Sequence, residues 1–165
     1  MAIIFSSGST IDSAYSSGSS NPRINMGNGN IVQTTYTTWT GDSSSGGSGF
    51  VDLFSHSITI RPGNLILVEF FMKTREDVGQ GRWNLSRHRV TNTTTGTEVF
   101  QSGFHGGQCN TIYQFSEHKL HNPGATGGSY TFQAACSGWT GTMYFNRSGG
   151  NGDGQAWLRL SEIAN

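Results

Sequence analysis

Residues Asn64 to Lys73, NLILVEFFMK, decide how this chain can fold. The core of the stretch, LILVEFF, is apolar on both faces of an extended strand and is far shorter than the ~20 residues of a membrane span. It has no 3.6-residue period, and its aromatic and branched side chains suit a pleated surface. A strand of this kind belongs at the centre of a sheet. One of its faces is expected to lie on the core and the other under a second chain.

Working outward, the same texture repeats. Short β-branched and aromatic runs are punctuated by Gly, Asn, Ser and Pro every ~10 to 15 residues. Before the central stretch lie NIVQTTYTTW (Asn30 to Trp39) and FVDLFSHSITI (Phe50 to Ile60). After it come RWNLSRHRV (Arg82 to Val90), TEVFQS (Thr97 to Ser102), CNTIYQFSEHKL (Cys109 to Leu120), SYTFQAACS (Ser129 to Ser137), TGTMYFNRS (Thr140 to Ser148) and QAWLRLSEI (Gln155 to Ile163). Several alternate with period two: Tyr113 and Phe115 oppose Gln114 and Ser116, and Ala156, Leu158 and Leu160 oppose Trp157, Arg159 and Ser161. Eight or nine antiparallel strands of this length form a two-sheet β-sandwich, for which a jelly roll is the common solution.

Residues 1–28 differ. They are mostly Ser, Gly and Asn, with Ile3, Ile4, Phe5, Ile11, Tyr15, Ile24 and Met26 as isolated apolar points. Such a segment cannot build a core of its own. It reads as an extended N-terminal arm whose apolar points anchor on a partner, leaving residues 29–165 as the β domain.

Composition narrows function. The 165 residues hold 10 Lys plus Arg and 10 Asp plus Glu, so net charge is zero and charged residues are 12% of the chain. That gives no electrostatic footprint for nucleic acid or an anionic membrane. A neutral chain with 24 glycines suits work inside an assembly. The opening MAIIFSSGST has neither a basic start nor a signal-like apolar region, so synthesis in the cytoplasm is expected.

The chemical motifs are weak. TGDSSSGGSG (Thr40 to Gly49) has a trypsin-like look, yet Ser43 precedes every histidine, the wrong order for that fold. A flexible loop is the better reading. His118 and His121 are three apart on a strand and face opposite sides, so spacing does not make them a chelating pair with Glu117, His105 or Cys109. No carboxylate pair can be set across a cleft, and Glu76 with Asp77 sits in a polar loop. Arg87 and Arg89 share a strand face opposite His88 and could meet an acidic patch, although exposed strand decoration is the better reading. Sequons begin at Asn84, Asn92 and Asn146 without a route to glycosylation, and Cys109 and Cys136 read as buried thiols, with a single bridge as the alternative. The loop Gly149 to Gly154 lacks the Lys of a phosphate cradle and the closing Glu of a calcium loop. It reads as the hairpin between the last two strands, with Asn151 and Asp153 the only metal candidates. No catalytic residue and no cofactor are expected.

The pieces IIFSSGST, IVQTTYTTWTG, HSITIRPGNLILVEF (His56 to Phe70) and YFNRSGGNGDGQAWLRLSEIAN resemble short virion structural proteins of tailed phages of marine and freshwater bacteria, cyanophages in particular. These are capsid decoration, cement or tail-fibre proteins. This chain departs from their pattern at Ile60 and Arg61 before Pro62 and in its short ending. The resemblance implies a TNF-like or capsid-like jelly roll, a homotrimer without enzymatic activity, carried on the virion surface and bound to the major capsid protein. Were it a tail protein, host glycan would be the partner, stacked on Trp39, Trp83, Trp139 or Tyr113.

Overall fold

The computed structural model describes residues 10–11, 24–25, 29–41, 43–45, 48–76, 83–103, 105–108, 112–138, 143–145 and 156–165. All regular elements among them are strands: β1 (Thr10–Ile11), β2 (Ile24–Asn25), β3 (Ile31–Trp39), β4 (Ser43–Ser45), β5 (Val51–Ile60), β6 (Leu65–Glu76), β7 (Trp83–Asn92), β8 (Thr97–Gln101), β9 (His105–Gln108), β10 (Ile112–His121), β11 (Gly128–Gly138), β12 (Met143–Phe145) and β13 (Ala156–Ile163).

Every pairing is antiparallel. One sheet runs β3-β13-β6-β10 and the other β5-β11-β7-β8. Eight strands distributed between two sheets in these orders are a jelly roll. The central stretch of the sequence is β6, with β13 along one edge and β10 along the other. Beyond Phe71, where β13 ends, Thr74 to Glu76 pair with β12, which in turn pairs with β4. In the N-terminal segment β1 pairs with β2, apart from both sheets.

Two expectations are corrected. The segment Thr40 to Gly49, read as a loop, contains the strand Ser43–Ser45, because the free edge of β12 offers backbone partners that local sequence does not reveal. The last two strands are not a hairpin. β12 and β13 do not pair with each other but follow one another along the same edge of β6, which is long enough to seat both.

The core follows from the period of two. Ile66, Val68, Phe70 and Met72 of β6 are fully buried, as are Leu158 and Leu160 of β13, facing Phe132, Ala134 and Cys136 of β11. The Cys136 thiol lies 3.4 Å from the Met72 sulfur, and burial pushes its pKa well up, so it packs as a small apolar group. Cys109 lies outside the described residues.

One end of the sandwich is closed by tight turns. Pro62 and Gly63 occupy the centre of the β5–β6 turn, with Gly63 at φ 81° and the Asn64 amide donating to the Arg61 carbonyl. This is a turn that needs glycine at its third position. Buried Glu162 locks it. Its Oε1 accepts from the Arg61 amide (2.8 Å) and Asn64 Nδ2 (2.7 Å), and its Oε2 accepts from Gln33 Nε2 (2.7 Å). Three of the stretches quoted for the phage resemblance therefore meet at one carboxylate. Those stretches build the scaffold.

Candidate docking face

The outward half of the β3-β13-β6-β10 sheet is ordered in rows by strand register. Tyr36, Arg159, Glu69 and His118 make one row; Thr38, Trp157, Phe71 and Ser116 the next; Thr34, Ser161, Leu67 and Leu120 a third. Four strands at ~4.8 Å spacing make this platform ~14 Å wide. At its centre Arg159 donates from Nε to Glu69 Oε2 (2.6 Å) and from Nη2 to Oε1 (2.5 Å). The bond to Glu69 raises the Arg159 pKa further, keeping the guanidinium charged.

Aromatic planes flank that pair. Phe71 and Trp157 stack with centroids 5.8 Å apart and planes 13° apart, and the Arg159 guanidinium lies 5.5 Å from the Trp157 ring. Tyr36 is 69% exposed and Leu120 52%. Trp, Tyr and Arg on a partly apolar surface are the side chains that dominate protein association. The same planes, beside a bidentate charged pair, could stack on and hydrogen-bond a sugar ring.

The other outer face is polar. Ser55, Ser57 and Thr59 of β5 are exposed beside Thr131 and Gln133 of β11. Ser57 and Thr131 hydroxyls share a 2.8 Å hydrogen bond, and Gln133 Nε2 donates to the carbonyls of Phe54 and Ala134. At one corner the Arg89 and Arg87 guanidiniums lie 4.1 and 5.2 Å from the centroid of the Phe50 ring, and Arg87 also donates to the Ser48 carbonyl. His88 points the opposite way, buried and stacked on Phe115 at 4.2 Å, as its alternation with the arginines requires.

His118 and His121 do face opposite sides of β10. His118 is exposed, whereas His121 is buried against the edge of Phe132. His121 Nε2 lies 3.0 Å from Nδ2 of fully buried Asn92, whose Oδ1 accepts from the Thr94 and Thr95 amides. That orientation makes His121 Nε2 the acceptor, and burial followed by the charge of Lys119 lowers its pKa. The sequon at Asn92 is thus closed to modification in the folded chain. Among the described residues no three His, Cys, Asp or Glu side chains gather at one point.

Several sequence candidates lie outside the described residues: Asn151 and Asp153 of the glycine loop, Ile3, Ile4, Phe5, Tyr15 and Met26 of the arm, Asp77, Asn146 and Trp139. Ile11 and Ile24 pair in the β1–β2 register, while Asn84 and Trp83 sit on β7 and His105 and Tyr113 on β9 and β10. Trp39 is not a free platform. It packs against the core and stacks on Phe54 at 5.6 Å. Sequence alone does not single out Trp157 and Tyr36 as platforms, although the alternation against Ala156, Leu158 and Leu160 turns Trp157 outward.

No protein-family model matches the sequence, and no curated protein matches it. Solved structures are similar at the level of β architecture. A chain of the T13 particle of infectious bursal disease virus overlaps 82% of this chain and 37% of its own length at 14% identity and a TM-score of 0.45. The VP2 subviral particle of that virus overlaps 92% of this chain and 42% of its own at 13% identity and a TM-score of 0.41. A protein of the disulfide-linked pili of Bacillus endospore appendages overlaps 85% and 96% at 10% identity and a TM-score of 0.40. This chain spans about two fifths of the length of the viral chains. These neighbours are viral capsid and pilus proteins. At such TM-scores the likeness carries no argument about function.

Proposed function

We propose that this chain is a non-enzymatic structural protein of a phage virion, a capsid decoration or cement protein that sits as a homotrimer on the outer shell. The observation that carries the reading is the outer face of the β3-β13-β6-β10 sheet. The core is complete without it, yet it presents Tyr36, Trp157, Phe71, Leu67 and Leu120 around one ion pair. Apolar and aromatic groups left on an outer face mark a contact surface. Binding the assembled shell in preference to its separated subunits stabilises the particle by mass action, with no chemistry required. The arm, residues 1–28, would lie across neighbouring subunits of the major capsid protein, anchored by its scattered apolar side chains.

The test is co-sedimentation of the full chain with purified capsids of the phage that encodes it. Native protein is expected in the pellet, and Trp157→Ala is expected to bind roughly 30-fold more weakly, the effect of losing ~2 kcal/mol at an interface anchor. Equal binding by both proteins, or none by either, would overturn the reading. Exposed Tyr36 beside Arg159 supports a second reading, a receptor-binding knob of a tail fibre or tail tip that stacks host surface glycan on the same face. Glycan-array signal without capsid binding would select it.

A further inference from the structure

Strand β3 forms one edge of its sheet. Among the described residues only β13 pairs with it, so its far side presents backbone donors and acceptors through its central part, Gln33 to Thr38. Natural edges are normally blunted by charges, bulges, brevity or a cover. The other long edges here follow that rule. β10 carries Glu117, His118 and Lys119 in succession. β5 is kinked where Phe54 and Asp52 face Ala134 and Ala135, leaving Leu53 out of register, and its Thr59 carbonyl is taken by Gln33. β8 has five residues and includes Glu98.

β3 follows none of this through its central part. IVQTTYTTW has no charge and no proline, is rich in strand-favouring residues, and is bulged only at its start, beside Glu162 and Ile163. Tyr36 is 69% exposed on it.

We propose that the far edge of β3 is a strand-addition site filled by β3 of a second copy, antiparallel across a twofold axis at Thr35. That axis gives the longest overlap. It sets Tyr36 opposite Thr34 of the other copy twice over, an aromatic against a β-branched residue on the outer face. Antiparallel pairing of identical strands brings like residues close to the axis, so an edge that pairs with itself must be uncharged there. Among the long edges, β3 combines that neutrality with an unbulged centre and, among the described residues, no strand on its far side. The contact is isologous and closes on itself, in contrast to open-ended edge stacking. It extends beyond the proposed trimer, because a twofold edge contact doubles whatever assembly the outer face makes.

Charge placed at Thr34 tests it. Two Thr34 positions would lie diagonally across the axis, ~7–8 Å apart. The full native chain is expected to sediment with an even number of copies. Thr34→Lys and Thr34→Glu, each verified as folded by circular dichroism, should each sediment at half that number. An equimolar mixture of the two variants should regain the native value. An odd number for the native chain, or unchanged assembly in both variants, would overturn the proposal. A dimer in place of a hexamer would sink the trimer and leave this contact standing.

Discussion

The two sheets share one core and differ on the side that faces away from it. On the β5-β11-β7-β8 sheet, serine, threonine and glutamine side chains answer one another and the backbone, as in the Ser57–Thr131 and Gln133–Phe54 hydrogen bonds. On the β3-β13-β6-β10 sheet the matching positions hold Phe71 stacked on Trp157, exposed Tyr36 and Leu120, and the Arg159–Glu69 ion pair. The first pairs serine, threonine and glutamine groups within its own sheet, and the second leaves aromatic and apolar side chains on its surface. A sandwich needs only its inner faces to fold, so the second pattern is what supports the proposed contact surface.

The comparison holds only if both faces ride on one rigid body, and the strongest way to break it is to cut what ties the sheets together. Glu162 does this at the turn end, where its carboxylate gathers donors from β3 and from the β5–β6 turn. Glu162→Ala takes the shared acceptor from three part-buried donors, of which Gln33 keeps its bond to the Thr59 carbonyl. Loss of about 1–3 kcal/mol is expected by chemical denaturation, from the hydrogen bonds those donors lose. A cost below about 1 kcal/mol would mean the sheets are held by apolar packing alone.

Much of the inner half was legible in sequence, because alternation dictates it: β6 and β13 bury the side chains that period two assigns to the core. What could not be read depends on partners far away in the chain. The Glu162 carboxylate finds Asn64 at 98 residues' separation and Gln33 at 129, and nothing in LSEI announces burial. Ser43–Ser45 becomes a strand only because β12 lies beside it. Trp39 and Trp157 both sit in alternating runs, and register against β13 and β6 decides that one packs inward and the other outward.

A second tie between the sheets sharpens the same point at smaller cost. Asn92 of β7 and His121 of β10 meet in the interior, with the histidine as acceptor. His121→Leu removes that acceptor and should cost about 1–2 kcal/mol, read from urea denaturation. The pair also sets a pH dependence. The His121 pKa is lowered from 6.5 by burial and by Lys119, and that of His56 is lowered by burial. Between each folded value and 6.5 the unfolded chain holds more protons than the folded one. Their contribution is therefore fully present above pH 6.5 and disappears as pH falls through the lower folded values. His121→Leu should flatten this acid slope and His56 should retain part of it; an unchanged slope would show that His121 contributes nothing to it.

The smallest changes in stability test the two faces against each other directly. Leu120→Ser on the first face and Ser57→Ala on the second both alter exposed side chains, and each should move unfolding free energy by no more than about 0.5 kcal/mol. Thermal unfolding would therefore barely separate them from the native chain. Association should separate them, because Leu120 belongs to the apolar platform and Ser57 only closes a hydrogen bond with Thr131 in its own sheet. Leu120→Ser is expected to weaken capsid co-sedimentation while Ser57→Ala leaves it unchanged. If Ser57→Ala had the larger effect, the polar face would be the contact surface, and the exposed aromatic groups would need a different explanation.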